Sequence, residues 1–132
     1  MKSHWTRPST WLVVLLGGFM GVNTVRALFD PVGFASYMGL PLTDPANHGF
    51  VHVYALRAAF LSLCVFGLLW LRDIRALVVL ALAALVMPIG DAILVASNGA
   101  PSLIVIRHAA TAVLVAVTAG LLFQRARQEV NS

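Results

Sequence analysis

Residues 74–97 read IRALVVLALAALVMPIGDAILVAS, an almost unbroken apolar run. With a rise of about 1.5 Å per residue, a helix of this length crosses the roughly 30 Å hydrocarbon core of a bilayer. The interior of the run contains one ionisable side chain, Asp91, placed three residues after Pro88. Proline has no N–H group, so it frees the carbonyl of Ala84 and bends the helix. An aspartate at such a position predicts a functional site, because a carboxylate in hydrocarbon is costly.

Three further apolar runs have the same character, and together they define the fold class. The chain has 132 residues, of which 60% are hydrophobic and 11% charged, whereas soluble domains are about 25% charged. The sequence therefore predicts an all-α integral membrane protein, a four-transmembrane-helix bundle. The predicted helices cover residues 11–29, 45–71, 74–97 and 101–123 of one membrane domain, 11–123, between an N-terminal segment, 1–10, and a tail, 124–132.

The basic residues predict the orientation. Those outside the apolar interior all fall on one side of the predicted membrane, at Lys2, Arg7, Arg72, Arg75, Arg125 and Arg127. The positive-inside rule places both termini and the 72–75 turn in the cytoplasm of a multi-pass protein of the cell (inner or plasma) membrane. The net charge of +4 forms no basic stripe, so we expect no nucleic-acid partner, and anionic lipid explains the charge.

The long connection at residues 30–49 predicts a short interfacial helix in the first outer loop. Asp30-Pro31 has the pattern of an N-cap followed by proline, and Gly39 is a typical helix C-terminus. The segment between them, 31–38, is either a lid over the site or a connector on the membrane surface. Asp44-Pro45 repeats the cap pattern and predicts the start of the second membrane helix.

Ionisable side chains from four helices fall at one depth. Arg26 lies about 6 Å below the outer end of its helix, and Arg57 and Asp91 lie about 10 Å below theirs. Arg107 and His108 lie about 9–10 Å from the start of the fourth helix. The inner half has no comparable set, so these residues predict a single polar layer in the outer half of the bundle.

Helical spacing extends this layer to neighbouring polar residues. Spacings of three, four and seven residues place side chains on one helix face. The candidate acid–base residues are Asp91 and His108. The candidate ligand-binding residues are Arg57, Arg107, Tyr54, Asn23, Arg26, Thr111 and Asn98.

The layer carries more positive than negative charge. Pairing Asp91 with Arg57 or Arg107 offsets one cation and leaves an excess, which an anionic or carbonyl-containing ligand balances. A purely structural interpretation also stands, in which the ion pair fixes helix register. In the same interpretation Arg26 extends towards lipid headgroups, and His108 bonds a backbone carbonyl or Asp91.

The histidine pair near the start of the second predicted helix could suggest a metal site. His48 and His52 are four residues apart, but only Asp44 accompanies them, so we expect no metal site. No recognised cofactor motif is present, and we expect no cofactor.

Gly17-x-x-x-Gly21 allows another helix to approach closely. Packing within the bundle is the first interpretation of this motif, and a homo-oligomer is the second.

Several short strings resemble a known family. They are Gly39-Leu40-Pro41, Asp44-Pro45-Ala46-Asn47, Val53-Tyr54-Ala55-Leu56-Arg57, Met87-Pro88-Ile89-Gly90-Asp91 and Arg107-His108. The chain resembles DUF4267, a domain of unknown function found in small four-helix membrane proteins, and more loosely resembles DoxX-type proteins. The resemblance covers roughly residues 11–123. It implies the four-helix architecture, points to Arg57, Asp91, Arg107 and His108, and implies no particular activity.

Four functions are compatible with the sequence. The first is binding of a membrane lipid or a small lipophilic ligand, anionic or carbonyl-containing, in an outer-half pocket. The second is a cofactor-independent isomerase or cyclase acting on a lipophilic substrate by general acid–base catalysis. The third is proton-coupled transport, which the apolar inner half disfavours. The fourth is a structural membrane subunit whose charges only hold the bundle together.

Overall fold

The computed structural model describes residues 6–131, and these residues form helices and connections without a strand. The helices are α1 (Pro8–Phe29), α2 (Pro31–Met38), α3 (Gly49–Trp70), α4 (Ile74–Ala84), α5 (Val86–Ser97) and α6 (Ser102–Val130). Four segments are long and apolar enough to cross a membrane: α1, α3, α4 with α5, and α6. The all-helical class and the four spanning segments are therefore confirmed, while the side on which the termini lie stays a prediction.

Local side-chain chemistry sets the ends of α2 and the start of α4, as the sequence indicates. The Asp30 carboxylate accepts a hydrogen bond from the Gly33 N–H at 3.0 Å. Gly39 ends α2 with a φ of 88°, a left-handed conformation that glycine adopts without a Cβ clash. The Asp73 carboxylate accepts from the Ala76 N–H at 3.0 Å and begins α4 in the same way.

The start of the second membrane helix differs from the prediction. Asp44 does not cap a helix, because its carboxylate accepts a hydrogen bond from the Ala46 N–H at 3.0 Å within a short turn. The helix begins only at Gly49. An aspartate followed by proline serves equally well in a turn, and here the turn prevails.

The last helix is longer than predicted. It continues beyond residue 123 to Val130, so the predicted polar tail is helical for most of its length. Arg125 Nε donates to Glu129 Oε1 at 2.9 Å, one helical turn away. Arg125 also donates to the Thr10 hydroxyl at 3.1 Å. These contacts bury Arg125, which is 6% exposed, and join α6 to the beginning of α1.

The third membrane segment is interrupted at Leu85, where α4 passes into α5. The cause is Pro88, which has no N–H group to donate to the carbonyl of Ala84. The Leu85 N–H instead lies 3.3 Å from the carbonyl of Leu82, three residues earlier. The regular helix resumes when the Ile89 N–H donates to the Leu85 carbonyl, also at 3.3 Å.

The bundle consists of two helix pairs. In one pair α1 packs along α3, and in the other α4 and α5 pack along α6. Helices α1 and α3 approach closely at Gly17, whose carbonyl accepts a hydrogen bond from the Ser62 hydroxyl at 2.9 Å. A Cβ at Gly17 would lie 2.9 Å from Val65 Cγ1. Gly21 faces the same Ser62 hydroxyl, so this glycine motif packs within the chain.

The two pairs meet at one end of the bundle and separate at the other. Buried side chains close the end that contains the 72–75 turn, the start of α1 and the end of α6, among them Val13, Leu69, Leu77 and Leu122. At the other end, which we call the α2 end, α2 packs on α1 and α3. Among the described residues α3 contacts α4 but makes no comparable contact with α5. Helix α3 therefore approaches α4 more closely than it approaches α5.

Candidate functional site

A cavity of about 330 Å³ lies between the two helix pairs. Its apolar part reaches Leu77 and Leu122 near the closed end of the bundle. On α6 the cavity wall extends from Arg107 to Leu122, which is roughly 22 Å of helix. The charged side chains that line it all lie at the α2 end. The cavity is therefore long, apolar along most of its length and polar at one end.

The structure brings most of the sequence-predicted residues to this polar end. The predicted residues that line the cavity are Asn23, Tyr54, Arg57, Asp91, Arg107, His108 and Thr111. Arg26 and Asn98 do not line it. The Asn98 side chain is exposed and donates to the Leu94 carbonyl at 2.9 Å, at the end of its own helix. Depth thus grouped Arg57, Asp91, Arg107 and His108 correctly around one cavity, whereas Arg26, grouped by depth, and Asn98, added by helical spacing, lie outside its lining.

Tyr37 of α2 connects two of the three arginines. The Arg107 guanidinium donates a hydrogen bond to the Tyr37 carbonyl, and its Cζ lies 3.8 Å from the centre of the Tyr37 ring. The Arg26 Cζ lies 4.2 Å from the same ring, a cation–π arrangement. The extension of Arg26 towards lipid headgroups stays a prediction, and the structure adds the contact with Tyr37. Sequence reasoning missed Tyr37 as a site residue; its aromatic position on the predicted interfacial helix was the available signal.

His108 and Asp91 form a pair in the cavity wall. His108 is 6% exposed, and its Nε2 lies 3.2 Å from the Met38 carbonyl. A carbonyl only accepts, so Nε2 carries the proton of this hydrogen bond. The opposite nitrogen, Nδ1, lies 3.9 Å from Asp91 Oδ2. This contact is ionic only when Nδ1 is protonated as well. Within residues 6–131 no arginine forms an ion pair with Asp91, so the expected pairing of Asp91 with Arg57 or Arg107 is wrong.

Arg57 is the arginine of the layer without a partner. Its side chain lines the cavity and is exposed. No hydrogen bond, ion pair or ring contact within residues 6–131 uses its guanidinium. Arg26 and Arg107 both contact Tyr37, so among the described residues Arg57 is the arginine of the layer whose guanidinium has no such contact.

The histidine pair at the start of α3 has no metal-binding geometry around it. The rings of His48 and His52 are 4.9 Å apart, and His48 Nδ1 lies 3.1 Å from the Pro45 carbonyl. Within the part of the chain that the structure describes, no three His, Cys, Asp or Glu side chains converge.

The sequence profile of one family, described as a domain of unknown function, DUF4267, matches residues 13–122. The chain belongs to the DUF4267 family. The matched region begins at Val13 and ends at Leu122, and both side chains line the cavity. The DUF4267 unit therefore coincides with the part of the bundle that encloses the cavity. Comparisons with curated proteins and with solved structures found no significant match.

Proposed function

We propose that this DUF4267 protein binds a lipid-like amphiphile, with the apolar chain in the cavity and an anionic or carbonyl headgroup at Arg57. One observation carries the proposal: an unpaired guanidinium stands at the polar end of an otherwise apolar cavity. The planar guanidinium binds a carboxylate or phosphate through two parallel hydrogen bonds. A ligand oxyanion thus balances the charge that the fold leaves uncompensated.

The dimensions support a chain-like ligand. The volume of about 330 Å³ falls within the range of roughly 300–1,000 Å³ that small-molecule sites occupy. The space follows α6 for roughly 22 Å, and this length suits one extended hydrocarbon chain better than a compact ring system. Its apolar walls resemble the hydrocarbon that such a chain leaves when it moves out of the bilayer.

A lateral path from the bilayer between α3 and α5 would suit such a ligand, because these two helices pack together less closely than α3 and α4. Arg57 belongs to α3, and Met87 and Asp91 belong to α5. All three line the cavity, and Met87 is 38% exposed. An amphiphile that entered here would keep its chain in an apolar environment and bring its headgroup directly to Arg57.

A binding measurement tests this proposal. Palmitate is titrated into the delipidated protein in nanodiscs, with hexadecanol as an uncharged ligand of the same chain length. Arg57→Gln should weaken palmitate binding about 10–100-fold, since a hydrogen bond to a charged group contributes about 1.5–3 kcal/mol. Arg75→Gln, at an exposed position away from the cavity, is the control and should bind normally. Equal palmitate affinity in wild type and Arg57→Gln would overturn the proposal.

A second candidate function is acid–base catalysis, which the Asp91–His108 pair supports. The two side chains are 3.9 Å apart in the cavity wall, and the Met38 carbonyl orients the imidazole. A carbonyl ligand held at Arg57 would place its neighbouring C–H bonds near this pair. One member could then remove a proton while the arginine stabilises the enolate oxygen.

Hydrogen exchange tests this second function. 2-Hexadecanone is incubated with the protein in D₂O, and mass spectrometry follows deuterium incorporation next to the carbonyl. The wild type should accelerate exchange, and Asp91→Asn should abolish the acceleration while ketone binding persists. Asp44→Asn, in the exposed turn before α3, serves as the control. Exchange at the uncatalysed rate with wild-type protein would refute catalysis of this type.

A further inference from the structure

Asn23 has an unused hydrogen-bonding atom at the cavity wall. The residue is 2% exposed and lines the cavity. Its Oδ1 is buried and accepts no hydrogen bond within residues 6–131. Buried polar atoms are nearly always hydrogen-bonded in folded proteins. An unpaired acceptor on a residue that lines a cavity therefore calls for a donor from the molecule that fills the cavity.

The neighbouring polar side chains do not supply this donor. The Thr111 hydroxyl donates to the Arg107 carbonyl at 3.0 Å. The Arg107 guanidinium is held by Tyr37. The Asn23 amide interacts with the Tyr54 side chain, yet Oδ1 stays unmatched. The fold thus provides an acceptor at Asn23 and an unpaired cation at Arg57 in the same layer.

We infer that the ligand headgroup carries an N–H or O–H donor beside its anionic or carbonyl oxygen. In this arrangement the oxygen binds Arg57 and the donor binds Asn23 Oδ1. The inference rests on the proposed binding function and narrows its ligand to acyl amides or hydroxylated acids. A plain fatty acid has an oxyanion but no donor when ionised, so it satisfies only one of the two groups.

Two probes that differ in one group test the inference. N-palmitoylglycine has an amide N–H, and O-palmitoylglycolate has an ester oxygen at the same position, while chain and carboxylate are identical. The delipidated wild type should bind the amide about 5–100-fold more tightly, because the ester leaves the buried acceptor unpaired. Asn23→Leu should remove this preference. Asn47→Ala, in the exposed connection before α3, should retain it.

The outcomes separate the inference from the proposed function. Equal wild-type affinity for amide and ester, with both weakened by Arg57→Gln, overturns the inference and leaves the binding function intact. A preference for the amide that persists in Asn23→Leu also overturns it. Failure of the wild type to bind either probe overturns the proposed function itself. The comparison of the two probes on wild-type protein needs no variant, so it stands even where Asn23→Leu does not fold.

Discussion

Replacing Arg107 with glutamine should destabilise the bundle, whereas the same replacement at Arg57 should not. The Arg107 guanidinium donates to the Tyr37 carbonyl and stacks on its ring. A hydrogen bond from a charged group contributes about 1.5–3 kcal/mol, and a cation–π contact about 0.5–1 kcal/mol. Their loss predicts a destabilisation of about 2–4 kcal/mol. Arg57 has no partner within residues 6–131, so Arg57→Gln should change stability by at most about 0.5 kcal/mol.

The assay is unfolding of the delipidated protein by sodium dodecyl sulfate in mixed micelles, followed by circular dichroism. Removal of lipid is essential, since a ligand bound at Arg57 would stabilise the wild type by mass action. Arg75→Gln, at an exposed position in the first turn of α4, gives the baseline for removing a charge. If Arg57→Gln proves as destabilising as Arg107→Gln without lipid, then the fold itself uses Arg57. The reasoning that reserves this cation for a ligand would be refuted.

Four other predictions concern two backbone positions, the α1–α3 contact and the proposed path between α3 and α5. Gly39→Ala should destabilise the bundle by about 1–2 kcal/mol, because φ is 88° and a Cβ would lie 2.7 Å from an Ile104 methyl group. Gly67→Ala, in open space on α3, should instead stabilise the bundle by about 0.5–1 kcal/mol. Unfolding by sodium dodecyl sulfate measures the stability of both glycine variants. Ser62→Ala removes the hydrogen bond to Gly17 and should cost about 0.5–1.5 kcal/mol. Met87→Trp should slow palmitate association and dissociation equally in stopped-flow experiments, and unchanged rates would mean that the ligand enters elsewhere.

The sequence predicted those features of the fold that depend on neighbouring residues. Asp30 and Gly39 define α2 within the connection because helix caps act over three or four residues. The same logic failed at Asp44, since an aspartate before proline fits a turn as well as a cap. The length of α6 was missed because Arg125 is stabilised by Thr10, a contact between the two ends of the chain that no local pattern reveals.

Depth along the helices predicted which charged residues lie near one another, but not which side chains they contact. A fixed rise per residue placed Arg57, Asp91 and Arg107 in one layer, and all three line one cavity. Which side chains touch depends on how each helix is rotated and where α2 lies. Arg107 therefore contacts Tyr37, and Asp91 contacts His108, although charge alone suggested that the arginine and the aspartate would pair.

These contacts also bear on the two interpretations of α2. Its last residues, Tyr37 and Met38, line the cavity, and their carbonyls accept hydrogen bonds from Arg107 and His108. A connector that merely followed the membrane surface would make no such contacts. The contacts favour the lid interpretation, in which α2 contributes directly to the wall of the site.

An experimental density map of the protein, purified in a mild detergent from its native membrane, tests the central claim most directly. We predict elongated density along α6 inside the cavity, with a polar end within hydrogen-bonding distance of the Arg57 guanidinium. Our account would be contradicted by a cavity that contains only water, or by an Arg57 side chain that turns out of the cavity into the surrounding lipid.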